Sequence, residues 1–136
     1  MQNRKKPAAF RLDMQSGVPV YRQIIDQVMG WMATGALQPG DQLPTVRQVA
    51  VDLAINPNTV QRAYREMEIR GVLETQQGSG TFISHQKVKL DEVERRRRLS
   101  QLAGEFVARA GEAGFTVQEL LEQIHDLYTE NERKRR

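Results

Sequence analysis

The sequence contains no cysteine, which removes disulfide staples, thiolate metal sites and a cysteine nucleophile. Histidine is almost as scarce. His85 and His125 stand far apart and read as surface or helix-end residues rather than ligands, so no metal and no other cofactor is expected. No apolar run approaches the roughly 20 residues that cross a bilayer, and the basic start lacks the apolar core of a secretory signal. The chain is therefore expected in the cytoplasm, with no membrane partner. Paired carboxylates, a nucleophile with its base and a phosphate-binding loop are absent at any usable spacing, so the chain is not read as an enzyme and no catalytic residue is assigned. A large excess of one charge is missing too. Residues 1–84 carry 9 basic and 7 acidic side chains, residues 85–136 carry 11 and 10, and the formal net charge is +3. Such a balance permits an anionic partner but demands that recognition come from where the cations are placed.

What is present starts with enough material for one ordinary domain or two small ones: 136 residues, 39% of them hydrophobic. The most informative stretch runs from Asn56 to Glu68. Read as a helix, Val60, Ala63, Tyr64 and Met67 fall at i, i+3, i+4 and i+7 and form one apolar stripe. The opposite face carries Asn58, Arg62 and Arg65, flanked by Thr59, Gln61 and Glu66. Amides, a hydroxyl and guanidiniums match the edges of bases in a DNA major groove, where Asn or Gln pairs with adenine and Arg with guanine or phosphate. The bland alternative is an ordinary solvated helix face, and the flanking segments decide between them.

Residues 1–17 read as an N-terminal arm, basic at Arg4-Lys5-Lys6 and then extended. A first helix enters at Pro19 and runs to about Thr34, burying Tyr21, Ile24, Ile25, Val28 and Met32, with Trp31 as a further packing residue and Gly35 near its end. Leu37 to Pro44 reads as a turn region. Thr45-Val46-Arg47-Gln48 has the form of a capping box and starts a second helix that buries Val46, Val49, Ala50 and Leu53. Arg47 then lies in an exposed first turn, where a cation repels the positive end of the helix dipole and an anion such as a phosphate would compensate it. Ala54-Ile55 makes a tight connection, Asn56 caps the third helix, and Pro57 takes its first position, where a missing N–H costs nothing. Gly71 stops that helix near Arg70. Two β-prone runs, Val72–Thr75 and Thr81–Ile83, surround Gln76-Gln77-Gly78-Ser79-Gly80 and read as a hairpin. A helix-turn-helix followed by a hairpin is a winged helix, with Gln77, Gly78 and Ser79 at the tip of the wing.

The order PVYRQIIDQV, GALQPGDQLPTVRQVA, INPNTVQRAYREME, RGVLET and QQGSGTFI resembles the winged-helix domain of the GntR family of bacterial transcription regulators. The resemblance covers about residues 18–84 and implies DNA contacts from Arg47, from Asn58, Thr59 and Gln61 early in the third helix, and from Gly78 in the wing. One departure matters. Many members carry arginine where this chain has Pro57 and Gln61, so guanidinium contacts do not transfer to those positions, and Arg62 and Arg65 are the cations that helical phase offers instead.

Residues 85–136 hold two more helical patterns. The first, about Asp91 to Ala110, places Leu99, Leu102, Ala103, Phe106, Val107 and Ala110 on one stripe. The second opens with the capping box Thr116-Val117-Gln118-Glu119 and carries Val117, Leu120, Leu121, Ile124, Leu127 and Tyr128. An isolated helical hairpin buries too little surface to offset its ordering entropy, so a partner is expected. The economical arrangement is a homodimer through Leu99, Leu102, Phe106, Leu120, Leu121, Ile124, Leu127 and Tyr128, holding two heads for a pseudo-palindromic DNA site. A tail of this length is similar to the YtrA subfamily, which implies a regulator associated with transporter operons. So short a hairpin has little room for an enclosed pocket, which places any small-molecule effector at the dimer interface. Arg95 to Arg98 read as a solvated face near Glu92 and Glu94, and the basic end Arg133 to Arg136 as a complement to the helix dipole.

The expected fold is mainly α with a small β-hairpin wing: a winged helix-turn-helix at 18–84 followed by a helical hairpin for dimerisation at 85–136. The expected function is a homodimeric, sequence-specific regulator of transcription, more simply a repressor than an activator because occlusion needs no activation surface. The alternative is a winged helix that binds protein without reading DNA.

Overall fold

The computed structural model describes residues 9–85 and 90–135, with side chains described as far as Glu130. The basic arm at Arg4-Lys5-Lys6 and the side chains of the basic C-terminal run lie outside the described residues. The elements, in order, are α1 (Val20–Thr34), β1 (Gln42–Leu43), α2 (Val46–Leu53), α3 (Pro57–Ile69), β2 (Leu73–Gln76), β3 (Gly80–Ile83), α4 (Glu92–Glu112) and α5 (Val117–Arg135). They fall into two compact units, the first holding α1 to β3 and the second spanning Lys87–Glu130 with α4 and most of α5.

In the first unit α1 buries Ile24, Ile25, Val28 and Trp31, and ends at Gly35, whose φ of 83° lets its N–H reach Met32 O. Tyr21 and Met32, expected inside, are only half-buried, and Trp31 takes the inner position. The chain before α1 is more firmly held than an arm. Phe10 is buried with its ring 4.9 Å from that of Trp31. Two α1 glutamines act as strand partners for this extended segment. Gln27 accepts from Arg11 N at 2.9 Å and donates to Arg11 O at 2.8 Å. Gln23 does the same for Asp13, at 2.8 and 2.9 Å. A primary amide is suited to this because it donates and accepts from one plane.

At the start of α2, Thr45 Oγ1 accepts from Gln48 N at 3.1 Å. At the start of α3, Asn56 Oδ1 accepts from Asn58 N at 2.8 Å, with Pro57 at the first helical position. The connection between them turns at Ala54, whose φ of 55° makes it the one non-glycine residue in the left-handed region among the described residues. α3 buries Val60, Ala63, Tyr64 and Met67 and packs on α1, α2 and β2. The Tyr64 hydroxyl donates to Pro44 O at 2.6 Å, and burial pushes its pKa well above the ordinary tyrosine value.

The region from Leu37 to Pro44 is not all turn. Gln42 and Leu43 form β1, paired antiparallel with β3 through Gln42↔Phe82 and Leu43↔Thr81, so the hairpin becomes a three-stranded sheet of order β1-β3-β2. So short a strand leaves no period to read, and its pairing is fixed by partners far along the chain. The core gathers Phe10, the inner face of α1, Leu37, Leu43, Val49, Ala50, the α3 stripe, Leu73 and Ile83.

In the second unit Asp91 Oδ1 caps α4 by accepting from Glu94 N at 2.7 Å. The α5 capping box forms in both directions: Glu119 Oε2 accepts from Thr116 N at 2.8 Å, and Thr116 Oγ1 from Glu119 N at 3.1 Å. α4 continues past Ala110 to Glu112 because Gly111 is tolerated within it, and the reversal comes at Gly114, with φ 86°. Among the described residues the two helices do not pack along one another. Their apolar positions therefore stay open, and of the α4 stripe only Ala110 is buried.

Two substitutions test the helix connections. A left-handed alanine costs about 1–2 kcal/mol, and glycine gives back part of that through a freer unfolded chain. Ala54→Gly is therefore expected to stabilise the protein by about 0.5–1 kcal/mol, because the exposed methyl loses no packing. Urea unfolding showing equal or lower stability contradicts the strain. Tyr64→Phe removes the bond to Pro44 while keeping the ring, and a loss of about 1–2 kcal/mol by the same assay is expected.

Candidate nucleic-acid interface

With the inner face of α3 fixed by Val60, Ala63, Tyr64 and Met67, helical geometry turns Asn58, Gln61, Arg62 and Arg65 outward, and all of these are exposed. Thr59, expected on the same surface, is half-buried. Among the described residues the side chains of Asn58, Gln61 and Arg65 make no hydrogen bond or ion pair. Their donors and acceptors stay available, whereas Glu66, nearer the core, pairs with Arg70 at 3.5 Å.

Arg47 stands in the first turn of α2, exposed and without an ion-pair partner among the described residues. Neither α2 nor α3 has an acidic residue in its first turn. The positive end of the α2 dipole thus adds to the guanidinium of Arg47 and favours an anion beside it.

The wing is built from β2 and β3, in register from Leu73↔Ile83 to Gln76↔Gly80. Its tip, Gln77-Gly78-Ser79, is exposed and closed by Ser79 N donating to Gln76 O at 3.0 Å. Gly78 has φ 82°, and a Cβ there would meet nothing within 4 Å, so backbone conformation alone requires glycine. Gly80 has φ 126°, and its added Cβ would lie 2.5 Å from Gln42 Nε2. That amide donates to Ser79 O at 3.0 Å, so β1 braces the tip from beside it. Along β2, Thr75 Oγ1 donates to Glu68 Oε1 at 2.8 Å and ties the strand to the last turns of α3. Helix and wing are thereby held as one surface.

Two contributors were not assigned to this surface from the sequence. The Pro-Gly content around Gln42 points to a turn there. Tyr21 was assigned to the core, yet the guanidinium of Arg62 lies over its ring, 3.8 Å from the centroid. No pattern within one element signals either contact, since each joins residues on separate elements.

The arginine run of α4 is largely satisfied within its own helix. Arg96 pairs with Glu92 at 3.2 Å, and Arg97 and Arg98 with Glu94 at 2.8 and 3.0 Å. Hydrogen bonds from Arg97 and then Arg98 hold the Glu94 carboxyl down at about 2. Whatever this group contributes to the helix is present above its ordinary value of 4.5 and fades as pH falls from there toward 2. Among the described residues no group of His, Asp or Glu is arranged to hold a metal ion. No described helix is long and apolar enough to cross a membrane.

Comparison with known proteins follows the same lines. The chain is 44% identical over 110 residues to the uncharacterized HTH-type transcriptional regulator YhcF of Bacillus subtilis, covering 81% of this chain and 90% of that one. It is 36% identical over 119 residues to the HTH-type transcriptional repressor YtrA of the same organism, covering 87% and 91%. Among solved structures it is similar to a transcriptional antiterminator from Listeria monocytogenes EGD-e, with a TM-score of 0.64, 30% identity and coverage of 91% and 92%. Residues 20–83, which run from the start of α1 to the end of β3, match the family described as "Bacterial regulatory proteins, gntR family". With the winged helix, the uncommitted polar face of α3 and full-length relatives all agreeing, the chain belongs to the gntR family of bacterial regulators, whose members are transcription regulators and not enzymes.

Proposed function

We propose that this regulator is a cytoplasmic, homodimeric repressor that binds a pseudo-palindromic operator and controls a transporter operon. The observation that carries the DNA reading is the outer face of α3, where Asn58, Gln61 and Arg65 have uncommitted side chains beside a braced wing. In this reading Asn58, Thr59, Gln61, Arg62 and Arg65 read or flank the major groove. Arg47 holds a phosphate or a base edge at the α2 N-terminus, and Gln77, Gly78 and Ser79 follow the backbone or the adjacent minor groove. Repression is supported by the name of the YtrA relative, which matches 87% of the chain. The transporter operon rests on resemblance to the YtrA subfamily.

Dimerisation is assigned to residues 85–136 and the DNA-binding head to 18–84, with Phe10 to Asp13 of the stretch 1–17 docked on that head. What supports the dimer is exposed apolar surface on helices that do not cover one another. Leu99 is 65% exposed, Leu121 56%, Ile124 52% and Phe106 47%, with Leu102, Leu127 and Tyr128 close to half and Leu120 partly covered. At roughly 25 cal/mol per Å² of apolar area, a second copy covering these side chains supplies a driving force that α4 and α5 alone lack.

Two experiments test the proposal. In anisotropy titrations against DNA from upstream of the protein's own gene, Arg47→Ala or Arg65→Ala is expected to weaken binding by about 1–3 kcal/mol if the side chain reads a base. A salt slope smaller by about 1 than that of wild type is expected if it holds a phosphate. Unchanged affinity and slope in either variant remove that residue from the interface. Ile124→Asp is expected to shift sedimentation from dimer to monomer while the head keeps its fold, and an unshifted dimer rejects this interface.

A further inference from the structure

We infer that Tyr21 is a positioning residue for DNA binding, acting through Arg62; the inference rests on the DNA-binding reading above. Tyr21 lies in the first turn of α1 and Arg62 near the middle of α3, and the two helices pack against each other. The guanidinium sits 3.8 Å from the ring centroid, a distance at which cation and π face attract. Tyr21 is half-buried at the margin of the core, so the ring is a fixed platform, whereas Arg62 is exposed. Stacking covers one face of the planar fork but leaves the N–H groups around its edge free to donate to a phosphate or a guanine.

The consequence is pre-organisation. A free arginine gives up rotamer entropy when it is fixed against DNA, while one already held over a ring gives up less at that moment. Arg65, three residues on and about one turn along the same helix, has no such platform among the described residues and meets DNA as a flexible cation.

A double-mutant cycle on the full chain tests this. Operator affinity and its salt slope are measured for wild type, Tyr21→Phe, Tyr21→Leu, Arg62→Ala and the Leu/Ala double variant, each first shown to fold by its thermal melt. Tyr21→Phe keeps the π face and is expected to bind like wild type. Tyr21→Leu keeps apolar bulk without that face and is expected to lose about two- to tenfold, with the salt slope moving as it does for Arg62→Ala. In the Arg62→Ala background the same Leu substitution is expected to add nothing. Additive losses, or a Phe variant as weak as the Leu variant, overturn the inference while leaving the DNA reading intact. Wild type that does not prefer operator over scrambled DNA rejects the proposed function and this inference with it. Without DNA, NMR is expected to find ring-current shifts on the Arg62 side-chain protons in wild type and Tyr21→Phe that vanish in Tyr21→Leu, and their absence from wild type overturns the contact itself.

Discussion

The burial of one face of α3 sets the orientation of everything around it. Val60, Ala63, Tyr64 and Met67 are all at most 1% exposed, and a helix held by four such residues has no freedom to rotate about its axis. Rotation by one residue, about 100°, would bring a polar side chain into the core at a cost of several kcal/mol. Tyr64 adds a directional element, because its hydroxyl reaches Pro44 O and links α3 to the segment that launches α2. Since α2 follows at once from Thr45, the same bond helps to locate Arg47 relative to the outer face of α3.

Rigidity then spreads outward through side chains that bridge elements. Glu68 holds Thr75 midway along the wing, Gln42 holds Ser79 at its tip, and the missing Cβ of Gly80 makes room for the Gln42 amide. Gln23 and Gln27 pin the segment before α1, and Phe10 closes the core against Trp31. None of these contacts is an ion pair: they are amide and hydroxyl hydrogen bonds, one of them to the Glu68 carboxylate, and a ring contact. The exposed guanidiniums of Arg47 and Arg65 are not drawn into them and keep their charge available for an external anion.

How much of this was legible in the sequence depends on the range of the interaction involved. The α3 stripe, the Asn56 cap, Pro57 at the first helical position and the Thr116–Glu119 box are readable because each is settled within one or two helical turns. The left-handed Ala54 was legible only as a tight connection, since alanine gives no local sign of positive φ. β1, the docking of Phe10, the Gln42 brace and the stacking of Arg62 on Tyr21 were not legible. Each is decided by a residue on another element, and no periodicity encodes it. For the candidate site this means that its members on α3 and at the wing tip were identifiable from spacing and motif, whereas the contacts that hold them in place were not.

The central claim is that the outer face of α3 and the wing form a DNA-reading surface presented twice by a dimer. Hydroxyl-radical footprinting of the full chain on DNA from upstream of its own gene tests it most directly. The account predicts two protected patches related by a dyad, their centres separated by a whole number of helical turns of roughly 10 base pairs, each flanked by wing protection in the neighbouring minor groove. A single asymmetric patch, or protection that scrambled DNA reproduces at the same protein concentration, would contradict it.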